Sequence, residues 1–313
     1  EQNGLFHVLE DGLEKGQLIH RYKRVECVQQ VVHPYREYQA FLQLAEAAAV
    51  RFIISNTTEA GIVFEGEDRP MDAPASSFPG KLTSLLHRRF QAFEGAKDSG
   101  LIILPCELIE NNGTRLQEIV HQYIAHWQLG AEFADWVDEA NYFCNTLVDR
   151  IVPGFPKVKA EELFEEIGFQ DELLVAAEPY HLWVIQAAKA VQAELPFGKT
   201  NLNVIFSDNL DYYRTRKVRI LNGAHTAMVP VGYLYGLRTV VRTIEDEAMG
   251  QYIADLIYGE IIPALATDDE AVDDLETYAT DILDRFRNPS IKHQLSIAIR
   301  SNEGLKIFQH DIF

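Results

Sequence analysis

Cationic side chains are scarce in this chain: 28 lysines and arginines stand against 47 aspartates and glutamates in 313 residues, a net charge of −19 with histidine neutral. A surface of that sign repels phosphate backbones and anionic lipid, so neither nucleic acid nor membrane is expected as a general partner, and an anionic substrate needs a locally basic pocket. Cysteine is scarcer still. Three thiols, Cys27, Cys106 and Cys144, are odd in number and far apart. They provide no disulfide framework and fit a reducing, cytoplasmic setting. No apolar run is long enough to cross a bilayer, and no histidine has a partner at a zinc spacing, so the expectation is a soluble chain with no required metal. The Gly-x-Ser-x-Gly elbow, the Walker loop and a catalytic cysteine context are all missing, which removes the usual hydrolase and nucleotide-hydrolysing classes. A Gly-x-Gly-x-x-Gly turn is missing too, so a dinucleotide enzyme is possible only if its first strand and turn precede Glu1. The opening Glu1-Gln2-Asn3-Gly4 has no initiator methionine and leads straight into residues 5–9, which read as a strand entered in mid-fold. The expectation is a portion of a longer protein.

With 47% hydrophobic and 24% charged residues, the chain can bury one large core or two. Strand-like and helix-like runs alternate over the first two thirds. Residues 51–56 and 101–107 are short apolar runs ending in polar residues. Between them Leu82, Leu85, Leu86, Phe90 and Phe93 recur at helical spacing, and Leu116, Ile119, Val120, Tyr123, Ile124 and Trp127 do so after the second run. Residues 178–185 and 203–206 read as further strands, and 156–171 as a charged surface excursion. From about Asp211 the signals turn helical, with Thr243/Asp246 and Thr267/Glu270 as capping-box pairs. The predicted fold is α/β: a Rossmann-like, mostly parallel sheet domain over residues 1–210, without its glycine turn, then a mainly helical domain over 211–313. Ligands of such sheets sit at the carboxyl ends of strands, which marks Asn56, Thr57, Thr58 and Glu59, and also Cys106-Glu107, as candidate positions. The same small polar residues also make an ordinary strand-to-helix turn.

Lys217, Asn222 and His225 bring an amine, a carboxamide and an imidazole within nine residues. Alcohol–ketone redox chemistry needs a group that exchanges the hydroxyl proton, which a lysine can do, and a fixed donor for the developing alkoxide, which an asparagine amide can supply. His225 could hold a second substrate oxygen. On one α-helix Asn222 and His225 lie about 60° apart and Lys217 about 80° from His225. The other reading remains open: Arg214, Arg216, Lys217 and Arg219 as a solvated cationic stretch, with Asn222 in a turn and His225 packed against a neighbour. His121 and His126 are expected at a solvent edge. Residues 285–293 cluster basic groups near a helix end, which suits either the helix dipole or a carboxylate-binding wall.

Taken together, Lys217…Asn222…His225, residues 146–153 and Glu178-Pro179 with Trp183-Val184-Ile185 resemble the polyol-specific long-chain dehydrogenases, the family of mannitol dehydrogenases and hexuronate reductases. Within it, residues 55–61, 105–113, 220–226 and 285–289 are similar to a hexuronate-reductase branch, and Leu108 stands where the mannitol and fructuronate enzymes carry an asparagine. The resemblance covers nearly the whole chain. It implies NAD as cofactor, a sugar acid as substrate, and reversible reduction of D-tagaturonate to D-altronate. It also implies Lys217, Asn222 and His225 as catalytic residues. Asp149 becomes a candidate to orient the lysine, Arg287, Lys292 and His293 candidates for the substrate carboxylate, and Asn56, Thr57, Thr58 and Glu59 candidates for the cofactor. The alternatives are a fructuronate or mannitol-type polyol substrate, or a fragment that binds a sugar acid or a partner chain without catalysis.

Overall fold

The structure, a computed structural model, describes residues 2–58, 60–69, 74–291 and 293–295. In chain order the elements are β1 (Phe6–Glu14), β2 (Gln17–Val25), α1 (Tyr38–Gln43), β3 (Phe52–Ser55), α2 (Phe78–Ala92), β4 (Ile102–Pro105), α3 (Asn112–His126), α4 (Ala131–Ala140), β5 (Tyr142–Phe143) and β6 (Asn145–Asp149). Then come α5 (Ala160–Ile167), β7 (Val175–Ala177), β8 (Leu182–Gln186), α6 (Lys189–Glu194), β9 (Val204–Phe206), α7 (Leu210–Arg216) and α8 (Gly223–Leu234). The helices α9 (Val240–Glu245), α10 (Glu247–Ala254), α11 (Ile262–Leu265) and α12 (Asp269–Phe286) complete the described chain. A π-helical segment, Lys217–Asn222, joins α7 to α8, and a second, Asp255–Ile261, joins α10 to α11.

Two compact units share these elements. One holds Gln30–Asp149 and Leu182–Leu210; the other holds Glu1–Gln29, Arg150–His181 and the chain from Asp211. The chain therefore passes between units at four places, of which the junction after Leu210 is the last.

In the first unit β3, β4 and β5 are parallel, while β8 pairs antiparallel with β6 and parallel with β9. The arrangement is Rossmann-like and mostly parallel. All four residues of β4 are buried. Ile103, with Leu101, packs into the core formed with α2 and α3, and Ile102 and Leu104 join Cys144, Ile185 and Val191 in a second cluster. A strand covered on both faces needs this unbroken apolar run. Leu82, Leu85 and Leu86 of α2 and Leu116, Ile119, Val120 and Tyr123 of α3 are buried at the helical spacing read from the sequence. At Gly113 the first turn of α3 comes so close to the β5–β6 connection that a Cβ there would lie 2.4 Å from the Cys144 carbonyl oxygen.

In the second unit β1 and β2 form a hairpin whose turn residues Lys15 and Gly16 are left-handed, with φ of 52° and 72°. That geometry fits a two-residue turn and the twist of the strands. Asp171 ties in the start of β1, accepting from the His7 amide at 2.6 Å and from Gln2 at 2.7 Å. Strand β7 adds in parallel on the other edge of β1. The helices close around Ile220, Met228, Val240, Ile253, Ile257, Leu275, Ile282 and Phe286.

Several local expectations change. Residues 156–171 contain α5, a short helix that buries only Leu163 among glutamates, too little to show a period. The strand expected from Glu178 begins at Leu182, because Pro179 has no N–H for a ladder and Glu178 is buried in an ion pair described below. The helix caps are Thr239, Asp246 and Asp268, accepting from Arg242, Met249 and Ala271, whereas Thr243 is buried within α9. No described helix is long and apolar enough to cross a membrane.

Candidate active site

The segment from α7 through α8 buries Arg216, Ile220, Ala224, Met228 and Gly232 at a spacing of four, with Val229 beside Met228. On a regular α-helix each step of four overshoots a full turn by about 40°, so this stripe would wind away from the core. An under-wound π segment cancels the drift. Its hydrogen bonding shows at the end, where the Gly223 amide donates to the Val218 carbonyl five residues back. The second π segment has the same cause: Met249, Ile253 and Ile257 are buried, and Ile261 is packed against the same core. The two π segments approach at Gly223, where a Cβ would sit 3.8 Å from Ile261 Cδ1.

The consequence for the chemistry is direct. Lys217 and Asn222, five residues apart, would point about 140° from each other on an α-helix. In the π segment, with about 4.4 residues per turn, the same five-residue step leaves the two positions only about 50° apart, and His225 follows in the first turn of α8. Lys217 and Asn222 are partly exposed.

His225 is enclosed on one side by Phe286, ring centres 4.7 Å apart, and on another by His293 at 5.0 Å. Burial, reinforced by the nearby His293 and Arg285, pushes its pKa down to about 3. Its imidazole is neutral at physiological pH, one nitrogen a donor and the other an acceptor. A small cleft of about 20 Å³ opens here, lined by Ile151, His225, Val240, Arg285, Asn288 and His293.

The wall of this cleft rests on a buried ion pair. Arg285 donates from Nε to Glu178 Oε2 at 3.0 Å, and its Nη2 lies 2.9 Å from Oε1. The same carboxylate accepts the Ile151 amide at 2.6 Å, and the guanidinium lies 4.4 Å from the centre of the Tyr180 ring. Arg285 is thus committed to Glu178. Arg287 is different: it is exposed at the end of α12, 3.8 Å from Asp284. Asn288 is buried, accepting from the Ser290 amide at 2.9 Å and donating to the Asp11 carbonyl at 3.2 Å. It holds the loop that carries His293, whose carbonyl accepts the Val240 amide at 3.0 Å. Lys292 lies outside the described residues.

The remaining candidates belong to the sheet unit. Asn56, Thr57 and Thr58 follow β3 and are exposed; Glu59 lies outside the described residues. Buried Glu107, just after β4, organises this turn: it accepts the Thr57 amide at 3.0 Å, the Thr57 hydroxyl at 2.9 Å and the Ser55 hydroxyl at 3.0 Å. Buried Asn112 stitches the neighbouring strand ends, donating to the Pro105, Glu107 and Thr146 carbonyls and accepting the Thr146 amide. Beside the turn a cleft of about 380 Å³ is lined by Thr57, Gly61, Ser76, Ser77 and Lys81. Asp149 ends β6 and is buried. The structure therefore groups Lys217, Asn222, His225, Arg287 and His293 in one unit, and Asn56, Thr57, Thr58 and Asp149 in the other. One sequence reading puts Arg216 in a solvated cationic stretch, and Asn288 stands in a quoted segment without a role; both are buried and owe their importance to distant partners.

A family model for the mannitol dehydrogenase Rossmann domain matches residues 6–199, and one for the mannitol dehydrogenase C-terminal domain matches residues 209–305. The chain belongs to the mannitol dehydrogenase family. A curated relative from Bacillus subtilis (strain 168), named altronate oxidoreductase, is 46% identical over 307 residues, 98% of this chain and 63% of that protein. An altronate oxidoreductase of Escherichia coli O7:K1 is 47% identical over 300 residues, 95% of this chain and 62% of that protein. The chain thus spans somewhat under two thirds of the length of these relatives. Among solved structures, Pseudomonas fluorescens mannitol 2-dehydrogenase in ternary complex with NAD and D-mannitol superposes with a TM-score of 0.70 at 23% identity, covering 95% of this chain and 60% of that one. Substrate-free D-sorbitol dehydrogenase gives 0.76 at 22%, covering 94% and 60%. These two neighbours support the mannitol dehydrogenase fold.

Proposed function

We propose that the complete protein is an NAD-dependent oxidoreductase that interconverts D-tagaturonate and D-altronate. The observation that carries this reading is the π segment, which keeps the Lys217 and Asn222 positions toward one face just before a neutral His225. Family membership and the altronate oxidoreductase relatives support the substrate. The exposed polar turn at Asn56, Thr57 and Thr58, with the 380 Å³ cleft beside it at the carboxyl end of a parallel strand, fits the cofactor. When bound, the reduced nicotinamide supplies hydride to the ketone carbon.

The residues of this chain handle the oxygen. The Asn222 amide donates to the carbonyl oxygen and stabilises the charge that grows there. The Lys217 ammonium gives that oxygen its proton, and in the reverse direction the free amine takes the proton of the alcohol. Because His225 stays neutral down to about pH 3, it does not compete with Lys217 as the acid. It hydrogen-bonds a neighbouring hydroxyl and orients the sugar acid. Asp149 is the candidate to orient the lysine, and Arg287, Lys292 and His293 are the candidates for the substrate carboxylate. A panel of D-tagaturonate, D-fructuronate and D-fructose with NADH tests the assignment. Selective turnover of tagaturonate supports it; preference for either other ketone moves the protein to the fructuronate or polyol branch, and no turnover favours a binding role.

A further inference from the structure

Arg216 ends α7 immediately before Lys217 and is only 6% exposed. A guanidinium so enclosed needs partners. Its Nη1 donates to Asp274 Oδ2 on α12 at 2.7 Å, and its flat face lies 4.3 Å from the centre of the Tyr278 ring, one turn further along that helix. The Tyr213 ring covers it at 5.0 Å, and the Tyr212 hydroxyl donates to the same Asp274 oxygen. The last turn of α7 is thereby clamped to α12. On the other side of the Lys217 backbone, Ile220 and Ala224 are fully buried in the helical core. Over Arg216, Ile220 and Ala224 a regular α-helix would drift by about 80°, and the π segment between the anchors takes up that drift.

We propose that Arg216 is a positioning residue: its clamp on Asp274 and Tyr278 fixes the π register and so keeps Lys217 and Asn222 toward one face. The inference rests on the role assigned to Lys217 in the proposed function. Misplacing a reacting group by about an ångström costs up to roughly a hundredfold in rate. Arg216→Gln in the complete protein is therefore expected to lower kcat by about tenfold or more. KM for the sugar acid and for NADH should stay within about twofold, since ground-state binding is untouched. Arg216→Lys keeps the charge but lacks the planar stack, and restores only part of the loss. Hydrogen exchange read by mass spectrometry is expected to quicken in residues 217–223 and nowhere else. Unchanged kcat in Arg216→Gln overturns the inference, and so does a rise in KM accompanied by faster exchange throughout the unit. Should Arg216→Gln fail to fold, Asp274→Asn, which keeps the side-chain size, is read by the same criteria. If the parent protein turns over no substrate, the functional reading fails by itself and exchange alone decides. Loosening confined to 217–223 then supports the clamp, and unchanged or global exchange ends it.

Discussion

Replacing Glu178 by glutamine tests how the cleft wall is held. The side chains of Glu178 and Arg285 are 1% and 2% exposed, and the carboxylate receives both guanidinium contacts and the Ile151 amide. The substitution keeps the volume but leaves a buried guanidinium without its counter-charge, which costs about 3–5 kcal/mol. Against a typical total of about 5–15 kcal/mol, that is enough to bring the unit near its unfolding threshold. The double change Glu178→Gln with Arg285→Met removes both charges. It is expected to recover at least half of the loss, since the large term is the stranded charge and not the missing attraction. The assay is urea unfolding with two probes. Trp127, Trp136 and Trp183 all belong to the sheet unit, so tryptophan fluorescence follows that unit, while far-ultraviolet circular dichroism is sensitive to the helical one. Glu178→Gln should move the dichroism midpoint to lower urea and leave the fluorescence midpoint nearly in place. A loss below about 1 kcal/mol, or a double variant weaker than the single one, refutes the reasoning.

His225 should leave a pH signature. Its folded pKa is depressed to about 3 from an ordinary 6.5, so the unfolded chain takes up a proton that the folded chain refuses. The stability it contributes is complete above pH 6.5 and is lost as pH falls toward about 3, so the difference in urea midpoint between about pH 7 and pH 5 should shrink in His225→Gln. Glu10 is wholly buried; that burial alone would raise its pKa, but hydrogen bonds from Lys23, Arg21 and Arg150 hold it down at about 2. Glu10→Gln should therefore cost stability above pH 4.5, and the gap to the parent should close as acid approaches pH 2. Burial pushes the Cys106 and Cys144 thiols up to about 11, whereas Cys27 is exposed. A disulfide reagent should accordingly label one thiol quickly in the native protein and all three in denaturant. Gly113→Ala forces a Cβ to 2.4 Å from a carbonyl oxygen and should cost about 1–3 kcal/mol in the fluorescence-detected transition, as overpacking does.

Strands β3 and β4 and helices α2 and α3 were legible because their apolar residues repeat with a clean period and end in polar turns. The Lys217, Asn222 and His225 set was legible as a list of functional groups but not as a geometry. Read as an α-helix, the first two diverge; the clue to the π segment is the four-residue spacing of 216, 220, 224 and 228, visible only once arginine is allowed as a buried residue. Arginine is seldom admitted to a core pattern, and what buries Arg216 is a set of tyrosines and an aspartate 58 residues away. The hairpin at Lys15-Gly16 carried an ordinary turn signal, yet residues 6–14 and 17–25 mix charge with apolar groups, since Glu10 faces inward against cations of β2. The strand expected over 178–185 runs through Pro179, whose missing N–H is the signal that it starts only at Leu182. The grouping of residues 150–181 with the helices has no local signature, because it depends on Glu178 meeting Arg285 far along the chain.

The central claim is that Lys217 delivers the proton to the reduced carbonyl oxygen. Single-turnover oxidation of NADH by D-tagaturonate, compared between the complete parent protein and Lys217→Ala, tests it most directly. The account predicts a rate lower by about 10²–10⁴-fold with sugar-acid binding retained. It also predicts partial recovery when a small primary amine is added to the medium. Near-parental turnover in Lys217→Ala would contradict it.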